Sequence, residues 1–71
     1  MDISKINIGQ IGVGYWGPNL LRNLIKNNKC KVLSVADSSK ERREYVNSIY
    51  PSVKTFSQPN EIINDPNIDA I

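Results

Sequence analysis

Gly12-Val13-Gly14-Tyr15-Trp16-Gly17 places three glycines in six positions, between an apolar run and a leucine-spaced pattern. Glycine loses more backbone freedom on folding than any other residue, and one suffices for a tight turn. Three at this spacing therefore constrain the chain more than any other feature. Upstream, Ile6, Ile8 and Ile11 predict a strand over about residues 5–11. Gln10 is a blemish there, because central parallel strands are usually apolar on both faces. Downstream, Leu20, Leu21, Leu24 and Ile25 fall on one helical stripe, with Arg22, Asn23 and Lys26 on the other side. Pro18 is tolerated only near a helix start, so the helix opens within about a turn of Gly14–Gly17. Asn27-Asn28 supplies a stop that tolerates left-handed backbone, with Lys26 and Lys29 at the negative end of the dipole.

The same alternation continues along the chain. Lys31 to Asp37 is a β-branched run that reads as a second strand. Ser38-Ser39-Lys40-Glu41 offers a capping box, Ser38 capping and Glu41 three residues on. Tyr45, Val46 and Ile49 are expected on the buried side of that helix, and Pro51 ends it. Val53 to Phe56 reads as a third strand. Pro59 opens a short helix carrying Ile62 and Ile63, closed by Asn64 to Pro66, and Ile68 to Ile71 begins a fourth strand. The order β-α-β-α-β-α-β implies an α/β fold with a parallel sheet and right-handed crossovers. The chain stops on an apolar upswing, so residues 1–71 are expected to be one incomplete domain, truncated at the fourth strand.

A strand before the glycines, a helix opening within them, and an acid 20 residues past Gly17 together form the dinucleotide fingerprint. The fold expected is thus part of a Rossmann, doubly wound sheet. Gly12 permits the strand-to-helix turn, Gly14 lets a pyrophosphate approach the backbone, and Gly17 lets the helix lie close to the strand. The amides of Tyr15 and Trp16, at the helix start, face the anion. Their rings project away, toward either a neighbouring part of the protein or the nicotinamide side. Asp37 can accept hydrogen bonds from the adenosine ribose, and its charge opposes a 2′-phosphate, which favours NAD over NADP. Lys40, Arg42 and Arg43, just beyond that acid, read first as a solvated helix face, but they could meet a 2′-phosphate and so keep NADP open. The blander alternatives are a glycine-rich turn without a ligand and an aspartate serving only the dipole of the next helix.

Composition removes several other classes. Net charge is +2, and the nine Lys and Arg are spread from Lys5 to Lys54, without the basic stripe that nucleic acid requires. There is no histidine, and Cys30 is the single cysteine, so neither an internal disulfide nor a structural zinc site is expected. Cys30 reads as a small half-buried filler. Met1 to Ile6 has no apolar leader core, and no apolar run approaches membrane-spanning length, so the cytoplasm is the default compartment.

Three segments resemble one family. Ile11 to Leu24 ("IGVGYWGPNLLRNL"), Val35 to Arg42 ("VADSSKER") and Ile63 to Ile71 ("INDPNIDAI") are similar to the nucleotide-binding domain of the Gfo/Idh/MocA oxidoreductases. The "GYWGPNLLRN" form is most similar to members acting on sugars and nucleotide sugars. The resemblance implies a Rossmann domain followed by a substrate domain with a large open sheet, which often mediates homo-oligomers. It also implies hydride transfer between a sugar-type carbon and the nicotinamide, with a lysine, commonly in a Glu-Lys-Pro motif, as acid–base group. The chain stops before that lysine would fall, so no catalytic residue is carried over. Only Gly12, Gly14, Tyr15, Trp16, Gly17 and Asp37 match the cofactor-binding pattern. Alone, the 71 residues are expected to show no dehydrogenase activity. The competing expectations are a non-catalytic module, either a dinucleotide sensor or a CoA-binding domain, and a truncated inactive remnant with uncovered apolar faces.

Overall fold

A computed structural model describes residues 5–71, so most of the Met1 to Ile6 stretch lies outside the described residues. Three strands, β1 (Ile6–Ile11), β2 (Cys30–Ala36) and β3 (Lys54–Phe56), alternate with three helices, α1 (Gly17–Lys26), α2 (Lys40–Ile49) and α3 (Asn60–Ile63). The strands are parallel in the order β1-β2-β3. Beyond β3 the chain crosses back, and Ala70 makes a parallel bridge to Ile8 on the other side of β1. The fourth strand expected from Ile68 is thus a single bridge. Its place nevertheless puts the reversal of strand order at β1, which is where doubly wound sheets bind ligands.

The helices cover both faces. Between Ile8 and Gly9 the β1–β2 register slips, so that Ile8 pairs with Val32 and Gly9 with Ser34, leaving Leu33 as an extra residue in β2. That bulge turns Val32 and Val35 to the same face, where they pack with Val13, Leu21 of α1, Val46 of α2 and Val53. The next residue along a strand faces the opposite way. On that opposite face, a Cβ built on Gly9 would run into the Ile62 side chain and reach 2.8 Å from Ile68, so α3 packs where β1 carries no side chain.

Several local expectations are corrected. α1 does not end in left-handed backbone. Asn27 is extended (φ −77°, ψ 119°) and uses its Oδ1 to accept the Lys29 amide, a local bond that leads straight into β2. The cap of α2 is Ser39, not Ser38: Asp37 Oδ1 accepts the Ser39 amide, so the helix starts one residue later, and Ser39 Oγ accepts from the Arg42 amide. Glu41 therefore falls at the wrong position for the capping box. On α2 only Val46 is buried. Tyr45 and Ile49 are 44% and 46% exposed, because α2 flanks the three-residue strand β3, beyond which no strand pairs among the described residues. Leu20 and Ile63 are likewise exposed, whereas Leu21 and Ile62 are wholly buried. Cys30 is half-buried, its thiol donating to the Leu24 carbonyl at 3.2 Å. Among the described residues no helix is long and apolar enough to cross a membrane, and no group of three His, Cys, Asp or Glu residues could hold a metal.

Candidate functional site

The C-terminal ends of the three strands meet at the glycine loop. The Gly12 amide donates to the Ala36 carbonyl at 2.7 Å, and the Asp37 amide donates to the Phe56 carbonyl at 2.9 Å. Each strand is thereby continued by one residue along its neighbour, and Gly12 and Asp37 come together above the sheet. Gly12 takes φ +93°, a left-handed conformation that side chains resist, and this bends the chain off β1. Val13 then plugs into the core, fully buried. Gly17 opens α1 in tight quarters: a Cβ there would lie 3.2 Å from the Gly12 carbonyl oxygen and 3.3 Å from Val13 Cγ1.

Gly14 is different. Its φ is not left-handed, and a Cβ built on it meets nothing within 4 Å. From Gly14 to Trp16 the backbone arches over open space. Among the described residues the amides of Gly14, Tyr15 and Trp16 find no acceptor. They stand where the positive end of the α1 dipole adds to their own partial charges. Tyr15 and Trp16 are 86% and 71% exposed, and their rings meet edge to face at 5.4 Å. Neither ring fills the arch.

Asp37 closes one side. Its Oδ2 accepts the Val13 amide and its Oδ1 the Ser39 amide, each at 2.8 Å. Two such bonds use only part of a carboxylate's four acceptor positions, so the group can still receive hydroxyl donors. The Ser39 amide first and the Val13 amide second hold the Asp37 carboxyl below its usual range. Arg42 and Arg43 act in the same direction, and partial burial opposes them. A shallow hollow adjoins the carboxylate, with Gly12, Asp37, Ser38, Ser57 and Pro59 around it.

A lowered pKa in the folded state means that the unfolded chain binds the proton first. The Asp37 contribution is therefore complete above the ordinary carboxylate value near pH 4 and is lost as pH falls through the lowered one. Thermal melts of the parent chain and Asp37→Ala are expected to differ at pH 7, and the gap should narrow on acidification below about pH 4. A gap that stays constant to pH 2 would show that these bonds do not depend on the charge.

Three residues of the site lie outside the set that the fingerprint singles out. Arg42 reaches back to the loop, Nη1 donating to the Val13 carbonyl at 3.2 Å and, more loosely, to the Gly14 carbonyl at 3.4 Å. Arg43 Nη1 holds the Asp37 carbonyl at 2.8 Å. Their sequence positions suggest either a solvated helix face or contact with a 2′-phosphate, yet each has a guanidinium nitrogen committed to main chain. Gln10, which the hydropathy pattern marks as a blemish, lies beneath the loop and donates to the Gly12 and Gly17 carbonyls. A polar residue two positions before the glycine turn is the available signal.

Residues 6–71 match the GFO_IDH_MocA profile, described as an oxidoreductase family with an NAD-binding Rossmann fold. An uncharacterized oxidoreductase, YdgJ, of Escherichia coli K12 is 38% identical over 67 residues, which are 94% of this chain and 19% of that protein. Among solved structures, apo scyllo-inositol dehydrogenase from Lactobacillus casei superposes with a TM-score of 0.85 at 20% identity, over 99% of this chain and 21% of its own. A protein assigned as an NADPH-dependent oxidoreductase, from Desulfitobacterium hafniense, superposes with a TM-score of 0.80 at 16% identity, over 94% of this chain and 20% of its own. At these identities the structural likeness speaks to the fold. The chain spans about a fifth of the length of each of these proteins.

Proposed function

Because the chain belongs to the Gfo/Idh/MocA oxidoreductase family, with its NAD-binding Rossmann fold, we propose that the glycine loop and Asp37 hold the adenosine-diphosphate half of NAD. The observation that carries this reading is the row of unpaired amides at Gly14, Tyr15 and Trp16, open to solvent beside the Asp37 carboxylate. A pyrophosphate supplies the acceptors those amides lack, and the missing side chain at Gly14 gives it room. Asp37 receives the ribose hydroxyls, and the hollow between Ser38 and Ser57 takes the base. Bound there, the cofactor supplies hydride exchange at its nicotinamide.

The ionised carboxylate sets the choice of dinucleotide. A 2′-phosphate beside it would meet like charge, and the Arg42 and Arg43 bonds to main chain leave those side chains less free to offset the repulsion. By calorimetry, ADP-ribose is expected to bind about tenfold or more tightly than its 2′-phosphorylated analogue, and Asp37→Ser should narrow that ratio. Equal or tighter binding of the phosphorylated ligand would reassign the cofactor to NADP. No binding of either ligand would remove the site. For the whole protein we extend the reading to a sugar-type secondary alcohol as hydride donor. This rests on the likeness of the "GYWGPNLLRN" segment to sugar-active members and accords with the inositol dehydrogenase among the similar folds. The candidate residues of this chain bind cofactor, and we assign none of them to proton transfer. Homo-oligomer formation and a cytoplasmic site of action are proposed on the same resemblance.

A further inference from the structure

We infer that Gln10 is a positioning residue for the dinucleotide, setting the curvature of the amide arch from beneath; the inference rests on the pyrophosphate reading above. Gln10 is 6% exposed, at the C-terminal end of β1 beside Val35, where an apolar residue would ordinarily stand. Its Nε2 donates to the Gly12 carbonyl at 3.0 Å and to the Gly17 carbonyl at 3.2 Å. These are the first and last residues of the glycine motif. One side-chain amide therefore pins both feet of the arch, and the Gly12 oxygen it holds is also the atom that a Cβ built on Gly17 would approach, at 3.2 Å. Two carbonyls at the amide end fix its orientation, since a flipped group would set oxygen against oxygen.

The other end of the side chain argues against a purely stabilising role. Gln10 Oε1 is buried and without a hydrogen-bond partner. An orphaned acceptor in the interior is unfavourable, and an apolar group of similar shape removes that cost, which offsets the donor that the Gly12 carbonyl loses. What the apolar replacement cannot supply is the pair of bonds that hold the motif ends at a fixed separation. The amides between them then lose the preorganised geometry that makes anion binding inexpensive in ordering.

Gln10→Met in the 71-residue chain separates these roles. Hydrogen exchange without ligand should quicken at the Val13 and Gly17 amides, while the thermal midpoint changes little. In NMR titrations, ADP-ribose affinity should fall about tenfold, as loss of two hydrogen bonds implies, and adenosine affinity should not change. A packing role would move both ligands together. Unchanged ADP-ribose affinity overturns the inference, as does an equal loss for both ligands or a variant that melts well below the parent. Failure of the parent chain itself to bind ADP-ribose is a separate outcome, which overturns the pyrophosphate reading and this inference with it.

Discussion

Gly14→Leu is expected to weaken ADP-ribose binding roughly a hundredfold or more, since charge-assisted hydrogen bonds contribute about 1.5–3 kcal/mol each and the side chain would displace at least two. The same substitution should leave the fold intact. The φ of Gly14 is not left-handed, and a Cβ added there has nothing within 4 Å beyond its chain neighbours, so a side chain starts into open space without backbone strain. It even lowers the entropy of the unfolded chain slightly. The neighbouring glycines behave differently. Gly12 needs φ +93°, and a Cβ on Gly17 would face the Gly12 carbonyl at 3.2 Å, so bulky residues at either position should lower both stability and binding. Calorimetry with ADP-ribose, alongside thermal melts, distinguishes the three. A Gly14→Leu chain that binds as the parent does would mean the anion does not approach the arch.

The backbone roles of Gly12 and Gly17 were legible in the sequence because the motif is local. The strand, the turn and the helix start lie within about fifteen residues, and each glycine's task follows from its position. Asp37 was legible for a similar reason, since the acid closes a recognisable strand. Its engagement with Val13 was not, because that bond spans 24 residues and depends on how β1 and β2 align past the bulge at Leu33. Burial was the least legible property. Tyr45, Ile49, Leu20 and Ile63 carry the right spacing for a helical stripe, but periodicity gives the side of a helix and says nothing about how far the sheet beneath extends. Gln10 shows the opposite failure: hydropathy marks it as a defect, and the bonds it makes are to backbone atoms that no residue pattern displays.

Ile62 and Ile63 offer the sharpest stability contrast, because they are adjacent, identical in type and opposite in burial. Ile62 is 0% exposed and packs on the bare backbone of Gly9, whereas Ile63 is 57% exposed. Truncating Ile62 to alanine empties a space that Gly9 has no side chain to refill, so the cost should be about 2–5 kcal/mol. A domain of this size has a total stability of roughly 4–10 kcal/mol, which makes that single change a large fraction of the whole. Ile63→Ala should stay within about 0.5 kcal/mol, as exposed substitutions generally do. Both changes raise helix propensity equally, so the difference between them isolates packing. Urea midpoints for the two variants test it, and equal midpoints would show that α3 does not seat on β1. The contrast also bears on binding: α3 directly follows Ser57 and Pro59, which border the hollow beside Asp37. Loosening Ile62 should therefore weaken adenosine as well as ADP-ribose, a pattern distinct from that of Gln10→Met.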